Sequence, residues 1–513
     1  MATYYFDSVL GNDTTGNGSQ ALPWAQYDNK YGSVADGDIC LFKRGTTQSI
    51  ATQYRAPRNG LSSSAPFVMA AYGEGDNPKF IFTGTVWGYM LNFSRRSWVT
   101  AEDLDFDAQG LAQSTLYVAG QDTFSATGIR FRRCRFYNAG LLRDGISVSK
   151  ESTATTATVT DVEFLNCDFF DCGGHGAIAT AATNIRFKKC RAWGNGATST
   201  YGGHGISFRW NRSDATSGWT LVSGTVYKRT LTVGEAAGSV TYMYGGAYPR
   251  MVKNTGTPTT PAVGEFGVSA GELYVNFNAD ANTIPIRWAW GRCGDNLVED
   301  CIFFDNIVNP SAEYIEGHGV AFDDFTEDSI IRRCKSYNNE GLGISVNRGD
   351  RNTIEDCLVY GNGINGLALS TSNSSIVQRS TFANNNLGNS MAPTGRTSEI
   401  SIASGGNSNT FRNLCLKAKA GGTQYGLDDS TGLTGTSVSY CNITGFTTAV
   451  RTVTPTNVVA GDPLLTSDYK PTPGSPLLGA GTHLGYTRDI NRKQRPNPPA
   501  IGAFDVATMR TPE

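Results

Sequence analysis

Three of the four histidines in this chain stand at one position of a repeated pattern, directly before the glycine of a Gly–apolar–small–apolar segment. They are His175, His204 and His318, and Asp144 fills the same position in an earlier copy. Imidazole and carboxyl groups exchange protons near neutral pH, so these residue types can act as general acids and bases. If the copies stack as neighbouring strands, successive members of the column lie about 4.8 Å apart.

Charged residues follow the same segments. Arg209 and Asp323 come at the ends of two successive copies, and an arginine and a carboxylate beside imidazoles are typical of sites with tuned pKa values. The residues that the pattern predicts to be catalytic are His204, Arg209, His318 and Asp323. The residues predicted to bind substrate are Asp144, His175, Asp324, Arg348 and Trp210.

Both patterns also have a purely structural interpretation. The histidines can form a packed stack that only fills space, and Arg209 and Asp323 can form an ion pair that only stabilises the fold. The sequence leaves these alternatives open.

The elements that carry these residues repeat around a cysteine. It recurs at intervals of 23 or 33 residues on either side of one long interruption. An apolar residue stands three positions before it, an aromatic residue usually three after, and an asparagine often five after. Such a period indicates a solenoid, and the alternating Gly-headed segments indicate strands, so we predict an all-β parallel β-helix. The series is Cys134, Cys167, Cys190, Cys301, Cys334 and Cys357, with Ser380 in the next copy.

Composition excludes several classes of function. The net charge of −2 and the absence of basic runs argue against nucleic-acid binding, and no apolar run is long enough for a membrane span. Met1 is followed at once by sequence typical of a folded domain, so we predict no signal peptide.

The chain has no CxxC pair and no evident acidic cluster, so we predict no metal and no cofactor. The repeated cysteines are expected to be reduced and buried.

The long interruption is rich in tyrosine, tryptophan and Gly/Pro turns, and its alternation predicts a small antiparallel β module. Its aromatic side chains are either a ligand-binding overhang or ordinary core. The predicted organisation is an N-terminal cap with first coils (1–95), β-helix (96–210), the inserted module (211–292), β-helix continued (293–455) and a C-terminal cap (456–513).

Both ends of the chain resemble a known family. The opening includes "YYFDSVLGNDTTGNGSQALPWAQYD" (4–28) and "APFVMAAYGEGDNPKFIFTG" (65–84), and the closing segment includes "DPLLTSDYKPTPGSPLLGAG" (462–481). These segments are similar to right-handed parallel β-helix proteins of the pectate-lyase-like superfamily. That superfamily includes polysaccharide lyases, epimerases, glycoside hydrolases and phage tailspikes, so the resemblance implies a right-handed helix and a polysaccharide ligand.

Two chemistries remain open for cleaving such a polymer. Hydrolysis needs two carboxylates roughly 5–9.5 Å apart, one of them protonated. The candidate carboxylates are Asp144, Glu316, Asp323 and Asp324. β-Elimination from a uronate needs a base and a positive group, which His204 or His318 could supply together with Arg209.

Three hypotheses follow for function. The first is a tailspike-like depolymerase of bacterial surface polysaccharide, located on a virion or outside the cell, forming a homotrimer with virion tail proteins as further partners. The second is a bacterial polysaccharide lyase or C5-epimerase whose leader has been removed, and the third is a non-catalytic virion spike or adhesin.

Overall fold

The computed structural model describes most of the chain. The described residues are 1–51, 57–84, 88–140, 144–151, 156–198, 203–215, 217–232, 235, 240, 242–245, 251–254, 256–309, 316–388, 398–403, 406–421, 425–429, 435–485 and 488–505. Among them, no helix is long and apolar enough to cross a membrane.

Successive coils of the chain add strands to three long parallel sheets, called A, B and C, which confirms a right-handed parallel β-helix. Sheet A comprises, within the described ranges, Thr3–Phe6, Ile39–Lys43, Phe67–Tyr72, Val99–Glu102, Ala126–Arg132, Val159–Leu165, Thr183–Lys188, Leu297–Glu299, Ile330–Arg332, Thr353–Glu355, Ile376–Gln378, Thr410–Arg412 and Ser437–Ser439. Sheet B comprises Thr47–Ile50, Lys79–Phe82, Asp105–Asp107, Arg135–Tyr137, Asp168–Phe170, Arg191–Trp193, Ile302–Phe304, Lys335–Tyr337, Leu358–Tyr360, Thr381–Ala383, Cys415–Lys417 and Asn442–Thr444. Sheet C comprises Tyr89–Asn92, Ser114–Gly120, Ile146–Lys150, Ala177–Thr180, Ile206–Arg209, Val320–Phe322, Ile344–Asn347, Leu367–Ser370, Ser398–Ala403, Tyr425–Asp429 and Thr448–Arg451.

The interior is built from columns of like residues because the strands stack in register. Phe131, Phe164 and Phe187 pair along sheet A, and their rings stack at 5.0 and 4.6 Å. The cysteines of the repeated series lie at the corner between sheets A and B and are buried, as predicted. All eleven cysteines of the chain are buried, and none of them is in a disulfide. A buried thiol behaves as a small apolar residue, which explains why the corner repeats it.

The asparagines five residues after the repeated cysteines form a hydrogen-bonded ladder inside the corner between sheets B and C. In each coil the side-chain oxygen accepts a hydrogen bond from the amide side chain of the coil before it, at 3.0, 2.7, 2.9 and 2.8 Å. The ladder runs through Asn195, Asn306, Asn339, Asn362 and Asn385, and ends on the buried carboxyl of Glu399.

Glu399 gives the fold a specific pH dependence. Burial raises the pKa of its carboxyl to about 8, although both amide donors of Asn385 favour the charged form. A folded-state pKa above the ordinary value means that this contribution to stability is complete at acidic pH and is lost as pH rises through about 8. We expect Glu399→Gln to flatten the decline of melting temperature between mildly acidic and alkaline pH, because glutamine cannot ionise. A parallel pH series on Glu74→Gln, at an exposed turn, is the control, and equal slopes for the wild type and E399Q would contradict the assignment.

The chain ends close the solenoid differently. At the start, the helix Tyr27–Lys30 and the 3₁₀ turn Tyr31–Ser33 lie over the first coil, and the buried Tyr27 contacts Phe6 and Phe42 edge-on. The C-terminal segment was predicted to be a cap, and it extends the last pairings at Thr456 and Val459.

The C-terminal segment also runs back along sheet B. Tyr469 packs 4.6 Å from Tyr360, at the end of the outer aromatic column, and Arg495 forms an ion pair with Asp356 at 2.9 Å. The segment therefore covers the side of several coils.

The interruption folds as a separate β module with its own core. One of its sheets pairs Asn211–Ala215 and Tyr242–Gly245 with Ile286–Trp290, all antiparallel. The other contains Thr220–Ser223, Val226–Thr230, Glu272–Asn276, Glu265–Ser269 and Val252–Lys253, and among the described pairings only the last two strands run parallel. Its 3₁₀ turn is Ala281–Thr283. The solenoid register continues across the module, since Arg191–Trp193 pairs directly with Ile302–Phe304.

Candidate active site

The histidine column forms a stack at the start of the sheet C strands. The ring centroids of His175 and His204 lie 4.8 Å apart and those of His204 and His318 lie 4.6 Å apart. The glycine after each histidine lets neighbouring coils approach, because a Cβ on Gly205 would lie 2.5 Å from the carbonyl oxygen of Gly319. Parallel stacking of the coils therefore brings these three residues together, as the sequence predicts.

Two carboxylates converge on the middle histidine. The Nε2 atom of His204 lies 3.4 Å from Oε2 of Glu316 and 3.3 Å from Oδ2 of Asp323. Because both oxygens lie so close to a single nitrogen, they cannot be more than about 7 Å apart, an upper limit that overlaps the separations that glycosidases use. Ser207 also lies 3.4 Å from the same oxygen of Asp323.

The carboxylates face solvent whereas the imidazole does not. The side chains of Glu316 and Asp323 are 26% and 22% exposed, and that of His204 is 2% exposed. A substrate can therefore reach the two carboxyl groups, with the imidazole behind them.

Burial and neighbouring charge separate the proton affinities of these groups. Partial burial, with smaller repulsive contributions from Asp323 and Asp324, raises the pKa of Glu316 to about 7. Burial lowers the pKa of His175 well below its usual range. Burial also opposes charge on His204, but the carboxylates of Glu316 and Asp323 outweigh it and raise its pKa. Glu316 is thus a carboxyl group that holds its proton near neutral pH.

Arg209 lies beside the carboxylates without pairing with Asp323. It is exposed at the end of Ile206–Arg209, and the main-chain N–H of Asp323 donates to the carbonyl of Phe208 at 2.7 Å. Within the described part of the chain, no ion pair joins Arg209 to a carboxylate, so the structural ion pair considered as an alternative does not form. Asp324 instead pairs with Arg348 at 3.2 Å.

The chain leaves the strand Val320–Phe322 through a strained turn. Asp324 and Phe325 adopt φ angles of 35° and 70°, a region unfavourable for residues other than glycine. Strain of this kind is often kept where it orients functional groups, and here it directly follows Asp323.

The prediction that the Trp210 side chain binds substrate is wrong. Its side chain lies in the solenoid core and its indole N–H donates to the carbonyl of Cys293 at 3.2 Å. The residue follows an outward-facing arginine, so the alternation of the strand turns it inward.

The predicted aromatic overhang is likewise not formed by the described tryptophans of the module. Trp219, Trp288 and Trp290 pack in the core of the module itself. Where it joins the solenoid, Asn211 donates to the carbonyl of Lys150 at 2.7 Å, at the far end of a sheet C strand from the histidine column. One other aromatic residue of the module, Tyr248, lies outside the described residues.

The remaining predicted residues have supporting positions. Asp144 accepts the main-chain N–H of His175 at 2.9 Å, and His318 is buried against His204. In the sequence, Glu316 is only one of several candidate carboxylates, although its position two residues before His318 indicates that it lies near the histidine column.

A cation has a candidate ligand set here. His175, His204 and Glu316 place one ligand atom each within 4.8 Å of one another. A metal ion lies near the plane of each imidazole that binds it, and two nearly parallel stacked rings cannot both meet that condition. The three residues therefore fit a metal poorly.

Comparisons with known proteins agree with the fold. A family model described as "Right handed beta helix region" matches residues 289–443. No curated protein matches the chain. The A-module of mannuronan C-5 epimerase AlgE4 from Azotobacter vinelandii is similar in structure, with a TM-score of 0.54 and 10% identity over 89% of this chain and 100% of that one. Pectate lyase Pel9A is similar with a TM-score of 0.50 and 15% identity over 98% of this chain and 96% of that one.

Proposed function

We propose that this protein is a glycan-cleaving enzyme that hydrolyses a polysaccharide with Glu316 and Asp323. The observation that carries the proposal is the convergence of two solvent-facing carboxylates on one buried imidazole, one of them with a pKa raised to about 7. Paired carboxylates with different proton affinities are what glycoside hydrolysis requires.

The roles of the two groups follow from their environments. Glu316 donates its proton to the glycosidic oxygen as the bond to the sugar carbon breaks, so that the leaving sugar departs as an alcohol. Asp323 stabilises the positive charge that develops on the sugar ring, either by attacking that carbon or by deprotonating an attacking water. The separation of at most about 7 Å is compatible with either role for Asp323.

Arg209 is proposed to select an anionic glycan, because it is exposed and its positive charge is close enough to Glu316 to oppose the rise in the pKa of that carboxyl. We expect Arg209→Gln to raise KM for an acidic polysaccharide about 10-fold or more, the loss of one charge-assisted contact, and to change KM for a neutral one little. Steady-state kinetics on both polymers measure the difference. The control is Arg95→Gln, which removes an exposed arginine paired with Asp122 on the surface, and equal effects on both polymers would contradict the role of Arg209.

The test of function is a screen against acidic and neutral bacterial polysaccharides with product analysis. Hydrolysis yields new reducing ends and saturated sugars. A lyase yields new reducing ends with an unsaturated uronate, and an epimerase changes the sugar composition without shortening the chain.

Elimination or epimerisation is the second candidate, favoured by Arg209, which forms no ion pair with a carboxylate of the described residues and can neutralise a uronate carboxylate. The similar solved structures named as an epimerase and a lyase have the same fold, and this keeps the second candidate within the screen. Absence of any product with every polymer, together with retained binding, would favour the non-catalytic spike or adhesin.

We propose further that the natural substrate is a bacterial surface polysaccharide and that the protein acts outside the cell or on a virion, as a tailspike-like homotrimer. The long outer faces of the three sheets offer the surfaces that such an assembly needs. Light scattering at micromolar concentration should give three times the 55.0 kDa chain mass. A single-chain mass would contradict the trimer and leave the enzymatic proposal unaffected.

A further inference from the structure

The histidine stack is tied together by main-chain hydrogen bonds. The N–H of His204 donates to Nδ1 of His175 at 2.8 Å, and the N–H of His318 donates to Nδ1 of His204 at 3.3 Å. The N–H of Leu342 donates to Nδ1 of His318 at 2.9 Å. At the start of the column, the carboxylate of Asp144 accepts the N–H of His175 in the same way. The column is therefore a series of acceptors, each satisfying a main-chain amide of the next coil.

This arrangement determines where the imidazole hydrogens are. The carboxylates raise the pKa of His204, but a second ring hydrogen would have to be on Nδ1, which accepts the N–H of His318, so the stack holds the ring neutral. A neutral imidazole carries one hydrogen, and a nitrogen that accepts an N–H hydrogen bond cannot carry it. Because Nδ1 of each ring faces a main-chain donor, the hydrogen must be on Nε2. In His204 that atom faces Glu316 and Asp323.

We infer that His204 is a positioning residue, whose Nε2–H is directed at the carboxyl groups of Glu316 and Asp323, 3.4 and 3.3 Å from the nitrogen. This inference rests on the proposed function and deepens it. The sequence pattern favoured His204 as a catalytic base, but Nε2 has no free lone pair with which to take a proton from a substrate. The Nε2–H of His204 instead keeps the carboxyl groups of Glu316 and Asp323 close together and stabilises the negative charge of Asp323.

The same hydrogen positions bear on metal binding. A metal ion needs the Nε2 lone pair, which would require moving the hydrogen to Nδ1 against the main-chain donor. The main chain of the next coil therefore prevents the imidazole from binding a metal ion. Because no side chain is responsible, substitutions at neighbouring positions should not restore metal binding.

Two substitutions of His204 distinguish a donor from a base. Glutamine can place an amide N–H near the Nε2 position but cannot accept a proton, whereas alanine removes the donor. We expect His204→Gln to keep kcat within about 10-fold of wild type and His204→Ala to lose about 10²-fold or more. Equal large losses in two variants that fold normally would overturn the inference, because a base would be lost in both.

A spectroscopic test does not depend on activity or on the variants folding. The chain has four histidines, and ¹⁵N labelling of histidine resolves protonated from unprotonated ring nitrogens. We expect His175, His204 and His318 to carry hydrogen on Nε2 and none on Nδ1. Added Zn²⁺ should leave these signals unchanged.

A hydrogen on Nδ1 of His204, or loss of its Nε2 hydrogen with Zn²⁺, would overturn the inference even if a glycan is cleaved. Failure to cleave any glycan while the Nε2 hydrogen is observed would instead overturn the proposed function and leave the hydrogen-bond assignment standing.

Discussion

Substituting Glu316 by glutamine is expected to lower kcat on a cleaved polysaccharide by a factor of about 10²–10⁴, because the proton donor is lost while the size of the side chain is kept. Asp323→Asn should produce a loss of similar size, since an amide cannot stabilise positive charge on the sugar as a carboxylate does. Both residues are partly exposed and outside the hydrophobic core, so melting temperatures should change little.

The pH profile identifies which carboxyl is the acid. Glu316 must be protonated to donate, and its pKa is raised to about 7, so activity should decline as pH rises through that value. The residual activity of Glu316→Gln should lack this decline. A profile that is unchanged in Glu316→Gln would show that another group supplies the proton.

Matched controls use the same chemical changes on exposed carboxylates away from the site. Glu74→Gln lies in an exposed turn, and Asp468→Asn changes a side chain that is 72% exposed in the C-terminal segment. Full activity in both, beside loss in the two site variants, supports the carboxylate pair. Full activity in all four variants would show that this column is structural and that catalysis occurs on another face.

The second large effect is expected on stability. Asn339→Ala removes a buried side chain whose oxygen accepts both the main-chain and side-chain N–H groups of Asn306, at 3.3 and 2.7 Å. Two buried donors are then left unpaired, at a cost of about 1–3 kcal/mol each, so the free energy of unfolding should fall by roughly 3–5 kcal/mol. Urea denaturation measures the loss, and hydrogen exchange at Asn306 should increase with it.

Two comparison variants separate hydrogen bonding from volume. Asn339→Asp keeps an acceptor for Asn306, and at a pH where the acid is neutral its O–H can replace the donor to Asn362, so it should be less destabilising than alanine. Asn491→Ala, on an exposed turn, should have almost no effect. If Asn339→Ala is as mild as Asn491→Ala, the ladder does not stabilise the coils.

Much of the fold could be predicted from the sequence because each feature repeats. Three features recur in most coils: the cysteine at intervals of 23 or 33 residues, the aromatic residue three positions after it and the asparagine five positions after it. Each of them independently indicates the same repeating unit. In-register stacking then places the column of His175, His204 and His318 without further information, since equivalent residues of successive coils must be neighbours. The module was recognisable as β for the same local reason, its alternation and turns.

The details of the site required the tertiary structure. Whether Trp210 faces solvent or core depends on where the alternation of the strand ends, because a shift of one residue turns the side chain to the opposite face. The selection of Glu316 and Asp323 from several carboxylates depends on two side chains of one coil that converge on a ring nitrogen of the coil before it. The raised pKa of Glu316 depends on burial and neighbouring charge, neither of which is a property of the local sequence.

The sequence by itself determined the repeating architecture, the buried thiols and the identity of the histidine column, because period and polarity are local and recur in every coil. Only the tertiary structure decided which carboxylates meet at His204, that Arg209 is not paired with Asp323, and which ring nitrogen carries hydrogen. The physical reason is that these three outcomes depend on distances between coils, and on a main-chain amide of His318 that lies 114 residues away in the chain.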